Sequence, residues 1–464
     1  MSVLPHAGPF EAAFPVVVVG AGAAGLVAAL AARDAGAEVL VLERDTVPRG
    51  STALSAGLVP AAGTRWQAEA GVADSPRQFA ADIMAKAGGT PDPGLVQTVA
   101  VEAAPVLEWL HARHGIPFSL VTDFSYPGHS AHRMHGLPSR SGADLGDALR
   151  SAAEAAGAEL LCGAHVTAVE ADGPVARGVV LARPDGSTER VGCSALVLAC
   201  SGYGGNAALV RAHVPDLADA VYFGHAGNQG DALRWGEAMG AAVRHLSGHQ
   251  GHGSVSHPSV ILITWATVTA GGVQVNARGE RFSDESRGYS EQALEVLRQP
   301  GGIAWTVFDG RIAAIARQFA DFQQAEALGV VLQAGDVGSL AVRTAVPADA
   351  LRATLAQATA ARRGAADPFG RDFGSVPDLQ PPYHAVRVTG ALFHTQGGLV
   401  VDGQARVVRT DGAALPNLFA AGGAACGVSG PRAEGYLSGN GLLTAVALGR
   451  IAGTHAAACA RVAA

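Results

Sequence analysis

At 464 residues the chain exceeds one ordinary hydrophobic core, and its 48% hydrophobic composition can fill two or three. A formal net charge of −7, only 16% charged residues and the lack of any Lys or Arg run exclude nucleic acid as an expected partner. The five cysteines (Cys162, Cys193, Cys200, Cys426, Cys459) form no C-x-x-C pair and no C-x-x-C-H haem site and are odd in number, so they read as reduced, mostly buried thiols of a cytoplasmic protein.

The N-terminal stretch MSVLPHAGPFEAAFP has neither a basic n-region nor an apolar h-region, and no uninterrupted apolar run reaches bilayer length, so neither a signal peptide nor a membrane partner is expected. Residues 15–46 then read strand, tight turn, helix, strand: Val16 to Val19, GAGAAG, an apolar helix to Ala35, and Glu38 to Leu42 ending on Glu43. In such a βαβ unit Gly20 allows the turn, Gly22 lets the backbone approach a pyrophosphate, and Gly25 lets helix and strand pack closely. Glu43 is placed to accept hydrogen bonds from a ribose. A lone G-x-G-x-x-G is weak evidence; here strand, helix, second strand and acidic residue coincide.

The Gly, Ser and Thr-rich segment 49–64 follows that carboxylate and reads as a cofactor-facing loop, or more plainly as a surface turn. Next come a helix from Ala143 to Ala156, a strand around His165 to Glu170, a hairpin through Pro184-Asp185-Gly186, and a buried strand from Ala195 to Ala199 that runs into a second glycine turn, SGYGGN. From 244 to 381 the strand and helix alternation weakens, which suggests a separate substrate-covering unit. Beyond it, GGLVVDGQARVV reads as a hairpin, LPNLFAAGGAACG as a strand and glycine turn, and Gly441 to Ala456 as an apolar helix.

The segments VVVVGAGAAGLVAALAARDAGAEVLVLER, GSTALSAG, LVLACSGYGGN, GNQGDALRWGEAMGA, GGVQVNARGERFSDES, AWTVFD, HTQGGLVVD, LFAAGGAACG and LSGNGLLTAVALGRIAG stand in one order along the chain. Together they resemble the flavoprotein superfamily of fumarate reductase and 3-ketosteroid Δ1-dehydrogenase. The resemblance implies an α/β fold: a Rossmann-like FAD-binding domain (1–243 and 382–464) interrupted by a smaller α+β substrate-capping domain (244–381). The FAD contacts it implies are Gly20, Gly22, Ala23, Ala24 and Gly25 in the first turn, Glu43 and Arg44 after the second strand, and Ser51, Thr52, Ser55, Ala56 and Gly57 in the loop. It adds Val166, then Ser201, Gly202 and Asn206 in the second turn, and Gly422, Gly439, Asn440 and Leu442 near the end. Members that attach FAD covalently carry a His where this chain has Ser51, so non-covalent FAD is expected. With no haem, iron–sulfur or FMN module, electrons must pass to or from an external acceptor or donor, or O2.

Two chemistries compete. A fumarate reductase-like site needs cationic clamps for two carboxylates; His394 matches its substrate-binding His, but Arg311 follows Phe308 and Asp309 too closely, and Tyr436-Leu-Ser-Gly-Asn replaces R-L-G-G-N, leaving Arg432 as a displaced cation. A ketosteroid-type site relies on tyrosines. The resemblance makes Tyr289 the proton-abstracting residue and Tyr436 the donor to the ketone, with the backbone N–H of Asn440 as second donor. Arg287 is the candidate for lowering the Tyr289 pKa, Glu285 a neighbouring acid, and Tyr126 a loop residue within reach of substrate. Each has a plainer reading: core aromatics for the tyrosines, an ion pair with Arg281 or Arg287 for Glu285, a surface cation for Arg432, a structural histidine for His394. The sets His129, His132, His135 and His245, His249, His252, His257 lack Cys or carboxylates at ligand spacing, so no metal is expected.

The favoured reading is an FAD-dependent enzyme that desaturates or reduces the α,β position of a small carbonyl substrate, a compact cyclic ketone such as an oxocyclohexane derivative, with a carboxylate held by Arg287 or Arg432. The alternatives are a fumarate reductase-like enzyme for an unsaturated carboxylate and a non-catalytic flavin-binding protein.

Overall fold

The computed structural model describes residues 2–374 and 376–463. Its larger sheet has nine strands, seven of them in the order Ser2–Pro5, His165–Asp172, Val175–Ala182, Thr188–Leu198, Ala12–Val19, Val39–Leu42, Glu159–Leu161. Ala414–Ala420 pairs in parallel with Thr188–Leu198, and Arg406–Val408 pairs with Ala414–Ala420. Val16–Val19 lies between parallel neighbours, Ala195–Leu198 on one side and Val39–Leu42 on the other. With both faces covered, this run is apolar throughout and fully buried. The expected hairpin at Pro184 to Gly186 is present, joining Val175–Ala182 to Thr188–Leu198. The N-terminal strand Ser2–Pro5 went unread, because its pairing with Ala168–Ala171 is remote in sequence.

Helix Ala23–Asp34 packs on this sheet beside helix Asn440–Ala463. Gly449 permits the close approach: a Cβ there would stand 2.6 Å from the Ala24 carbonyl oxygen. Asn440–Val462, its apolar run interrupted by Arg450, is long and apolar enough to span a bilayer by length and composition; 61% of its 18-residue apolar window is buried inside the protein, where it serves as a core helix.

A second sheet of six strands is built on Tyr383–Thr395, which pairs with His249–Ser256, Ile303–Asp309, Leu332–Ala334 and Val221–Tyr222. This sheet does not stop at the expected limits of 244 and 382, because strands on both sides of them supply its pairing. Helices Gly310–Ala316, Ala320–Ala327, Val337–Thr344 and Ala348–Arg362 close a separate core around Phe308 and Phe322. The two sheets bring the first glycine turn and the end of Tyr383–Thr395 to the lining of one cavity.

Candidate active site

A cavity of about 400 Å³ runs from the first glycine turn to Trp265. Gly20 has φ +104°, and a Cβ on it would stand 2.6 Å from the Ala199 carbonyl oxygen, so only glycine fits where the two strand ends meet. A Cβ on Gly22 would meet nothing nearer than Thr52 Oγ1 at 3.5 Å, and this residue faces the cavity at the start of helix Ala23–Asp34. That open approach to a helix N-terminus suits a pyrophosphate. Glu43 Oε2 accepts from Ala21 N–H at 2.8 Å and Oε1 from Asp45 N–H at 3.0 Å, which fixes the carboxylate in the wall at the same end. The donor and acceptor set therefore fits FAD.

Ala23, Ala24, Arg44, Ser51, Thr52, Ser55, Ala56, Val166, Ser201, Gly422, Gly439 and Leu442 also line the cavity. Gly25, Gly57, Gly202, Asn206 and Asn440 lie outside its lining. A Cβ on Gly57 would stand 2.8 Å from Ser141 O, and one on Gly202 would collide with Thr395 Oγ1, so these two shape the wall from behind. Asn206 caps helix Ala207–His213, its Oδ1 accepting from Ala208 and Leu209 N–H at 3.1 Å each. We expect Glu43→Ala to weaken FAD binding while sparing the fold, since charge-assisted hydrogen bonds to a ribose contribute about 1.5 to 3 kcal/mol. FAD occupancy after purification measures this; unchanged occupancy would place the ribose elsewhere.

At the far end, Tyr289 is ringed by aromatic groups: His252 stacked at 4.7 Å, Tyr126 at 6.0 Å, and Trp265 and Tyr436 at 6.1 Å between centroids. His394 stands 5.5 Å beyond Tyr436. Tyr436 Oη accepts from Gly441 N–H at 3.4 Å. Burial pushes the Tyr436 phenol up to about 12 against the opposing pull of the Gly441 and Gly439 amides. Burial also drives Tyr289 well above the usual tyrosine value, and the neighbouring Tyr436 and Tyr126 reinforce the shift. The same desolvation pulls His252 to about 3 and His394 to about 4, so both rings are neutral at pH 7. Asn440 Nδ2 donates to Ser429 Oγ at 3.0 Å, Ser429 Oγ donates to Gln396 Oε1 at 2.7 Å, and Gln396 Nε2 stands 3.2 Å from His394 Nδ1. His394 Nδ1 also lies 3.4 Å from the Thr395 carbonyl oxygen.

The cations expected here are not in the cavity. Arg287 is exposed, and its backbone carbonyl accepts from Lys86 Nζ at 2.8 Å. The reason is Gly288, whose φ of 145° turns the chain between an outward Arg287 and an inward Tyr289. Arg432 is exposed beside Gly88, one turn ahead of the buried Tyr436. Among the described residues the only Arg or Lys in the lining are Arg44, at the nucleotide end, and Arg140, which is paired with Asp123 and bonded to Gln318 at 2.8 Å. Asn440 does not supply the second donor either: its N–H donates to Leu437 O at 3.0 Å, and the amide beside Tyr436 Oη belongs to Gly441.

Glu285 is fully buried away from the cavity, bonded to Arg281 at 2.7 Å and Arg371 at 3.1 Å. Burial opposes its charge, yet Arg371 and Arg281 hold its carboxyl below the usual range. It is an ion-cluster residue, and Glu285→Ala is expected to cost about 3 to 5 kcal/mol of stability by leaving buried Arg371 without its carboxylate and Arg281 with Asp367 alone. Thermal unfolding measures that loss; a normal unfolding midpoint with lost turnover would return Glu285 to catalysis.

Sequence reading overlooked Gln250, Trp265, Gln396 and Asp231 and weighed His252 only as a metal ligand; all five line the cavity. Gln250 and His252 share one strand face, a period-two signal masked by the search for metal spacing. Among the described residues no three His, Cys, Asp or Glu side chains gather at metal-binding distance.

Residues 15–442 match the family model for an FAD binding domain. The chain is 32% identical to a probable fumarate reductase of Shewanella frigidimarina, over 97% of this chain and 76% of that protein. It is 26% identical to a 4-oxocyclohexanecarboxylate 2-dehydrogenase of Sinomonas cyclohexanicum, over 89% and 87% of the two chains. Its fold matches the 3-ketosteroid-Δ4-(5α)-dehydrogenase of Rhodococcus jostii RHA1 with a TM-score of 0.77 and 25% identity, over 98% of this chain and all of that one. The chain belongs to the FAD binding domain family, as an FAD-dependent oxidoreductase of the fumarate reductase and ketosteroid dehydrogenase group.

Proposed function

We propose that the protein interconverts a compact cyclic ketone and its α,β-unsaturated form, with electrons passing to or from an external carrier or O2. One observation carries this reading: the tyrosine pair Tyr289 and Tyr436 faces a cavity end that holds two neutral histidines and where, among the described residues, the one Arg or Lys of the lining is Arg140, already paired with Asp123. A dicarboxylate would bury two negative charges there with no uncommitted cation to meet them, at a cost of several kcal/mol per ion. A ketone carries no such penalty. The clamp expected from Arg287 or Arg432 has no support, so the ring itself is the recognised feature.

Tyr436 donates to the carbonyl oxygen, oriented by Gly441 N–H, and stays protonated because its pKa is pushed up to about 12. With its proton on Nε2, the neutral His394 offers a second donor beside it. Tyr289 takes the α-proton in desaturation and returns it in reduction. FAD supplies the partner for the hydride at the β-carbon.

The fumarate reductase-like reading draws equal support from the relatives and from His394. Dithionite-reduced protein mixed with a cyclohexenone or with fumarate separates the two. Faster flavin reoxidation by the enone is expected; faster reoxidation by fumarate would reverse the assignment.

A further inference from the structure

The segment Tyr222–Asn228 crosses from the second sheet to the nucleotide end of the cavity. One root is the pairing of Val221 and Tyr222 with Ala391 and Leu392; the other is Gly205 N–H donating to Asn228 O at 2.9 Å. Between these roots its tip is fastened to the segment that follows Glu43. His225 Nε2 lies 2.7 Å from Asp45 Oδ2, with His225 Nδ1 accepting from Gly227 N–H at 3.1 Å. Ser51 Oγ accepts from Asn228 Nδ2 at 2.8 Å and from His225 N–H at 3.3 Å, and Arg44 Nη1 donates to Gly227 O at 3.3 Å. Arg44, Ser51, His225, Gly227 and Asn228 all line the cavity, so these bonds join two segments of its wall at the nucleotide end. Behind the tip, the Tyr222 hydroxyl accepts from Asn228 Nδ2 at 2.8 Å and donates to His225 O at 3.2 Å.

We propose that Tyr222–Asn228 is a clasp shut across the FAD channel by Asp45, Ser51 and Arg44, and that its opening governs the rates at which FAD enters and leaves. A chain with Ser51 in place of a linking histidine keeps its flavin by closure over it. The clasp is a positioning device for the cofactor and is independent of which substrate the enzyme takes.

Tyr222 and Asp45 fasten the clasp without lining the cavity, so Tyr222→Phe and Asp45→Asn test closure apart from direct contact with FAD. FAD association is followed by stopped-flow mixing with apoprotein, and dissociation by recovery of free-flavin fluorescence on dilution, with the thermal midpoint of each apoprotein as the folding control. A clasp predicts that both rates rise together in both variants, by about three- to tenfold, the factor that one ordinary hydrogen bond supplies, while the dissociation constant stays within about twofold. Dissociation that speeds up with association unchanged would reduce the segment to a contact surface, and rates equal to the parent's in both variants would remove it from FAD exchange altogether.

Discussion

Tyr289→Phe is expected to slow flavin reduction by a saturated cyclic ketone by about 10²- to 10⁴-fold, the range that a positioned general base supplies. Only a hydroxyl is deleted from a ring packed among His252, Trp265, Tyr126 and Tyr436, so FAD content and unfolding should match the parent. The pH dependence follows from burial. Because desolvation raises the Tyr289 pKa well above 10, the proton-accepting phenolate is a minor form at neutral pH. Its fraction grows tenfold per pH unit below that pKa. The parent's oxidation rate should therefore climb with pH between about 7 and 9, whereas enone reduction, which uses the protonated phenol, should stay flat. Rapid single-turnover kinetics across that range measure both; a flat oxidation profile would assign the proton to another group.

Tyr436→Phe should cost about 10²- to 10³-fold in the same step, the loss typical of one oxyanion donor. Gly441 N–H now donates to Tyr436 Oη; in the variant it is released and can donate to the substrate oxygen, which places the loss toward the lower end of that range. The pH slope should persist, because Tyr289 is untouched. A rate near the parent's would leave His394 Nε2–H as the principal carbonyl donor, and His394→Ala would then show the larger loss.

The parts of this site that could be read from the sequence are those that local chain geometry dictates. Val16–Val19, the first glycine turn and Glu43 form one continuous βαβ unit, so each residue's neighbour in space is also near in sequence. Tyr289 and Tyr436 were found through their flanking motifs. What failed depended on which way a short turn points. Gly288 sends Arg287 outward and Tyr289 inward, and no pattern in DESRGYSE announces that. The same holds one residue along from Asn440, where Gly441 supplies the amide beside Tyr436. Glu285 was legible as an ion-pair partner of Arg281, but Arg371, its second partner, lies 86 residues away. The clasp joins Asp45 and Ser51 to His225 and Asn228 across the two sheets, a proximity that only the assembled fold creates.

The most direct measurement mixes oxidised, FAD-loaded protein with excess saturated cyclic ketone in the absence of O2 and follows the visible flavin absorbance. Ketone desaturation predicts bleaching, one enone formed per flavin reduced, and loss of both in Tyr289→Phe. Absorbance that the ketone leaves unchanged while succinate bleaches it would contradict the account and make the protein a fumarate reductase-like enzyme.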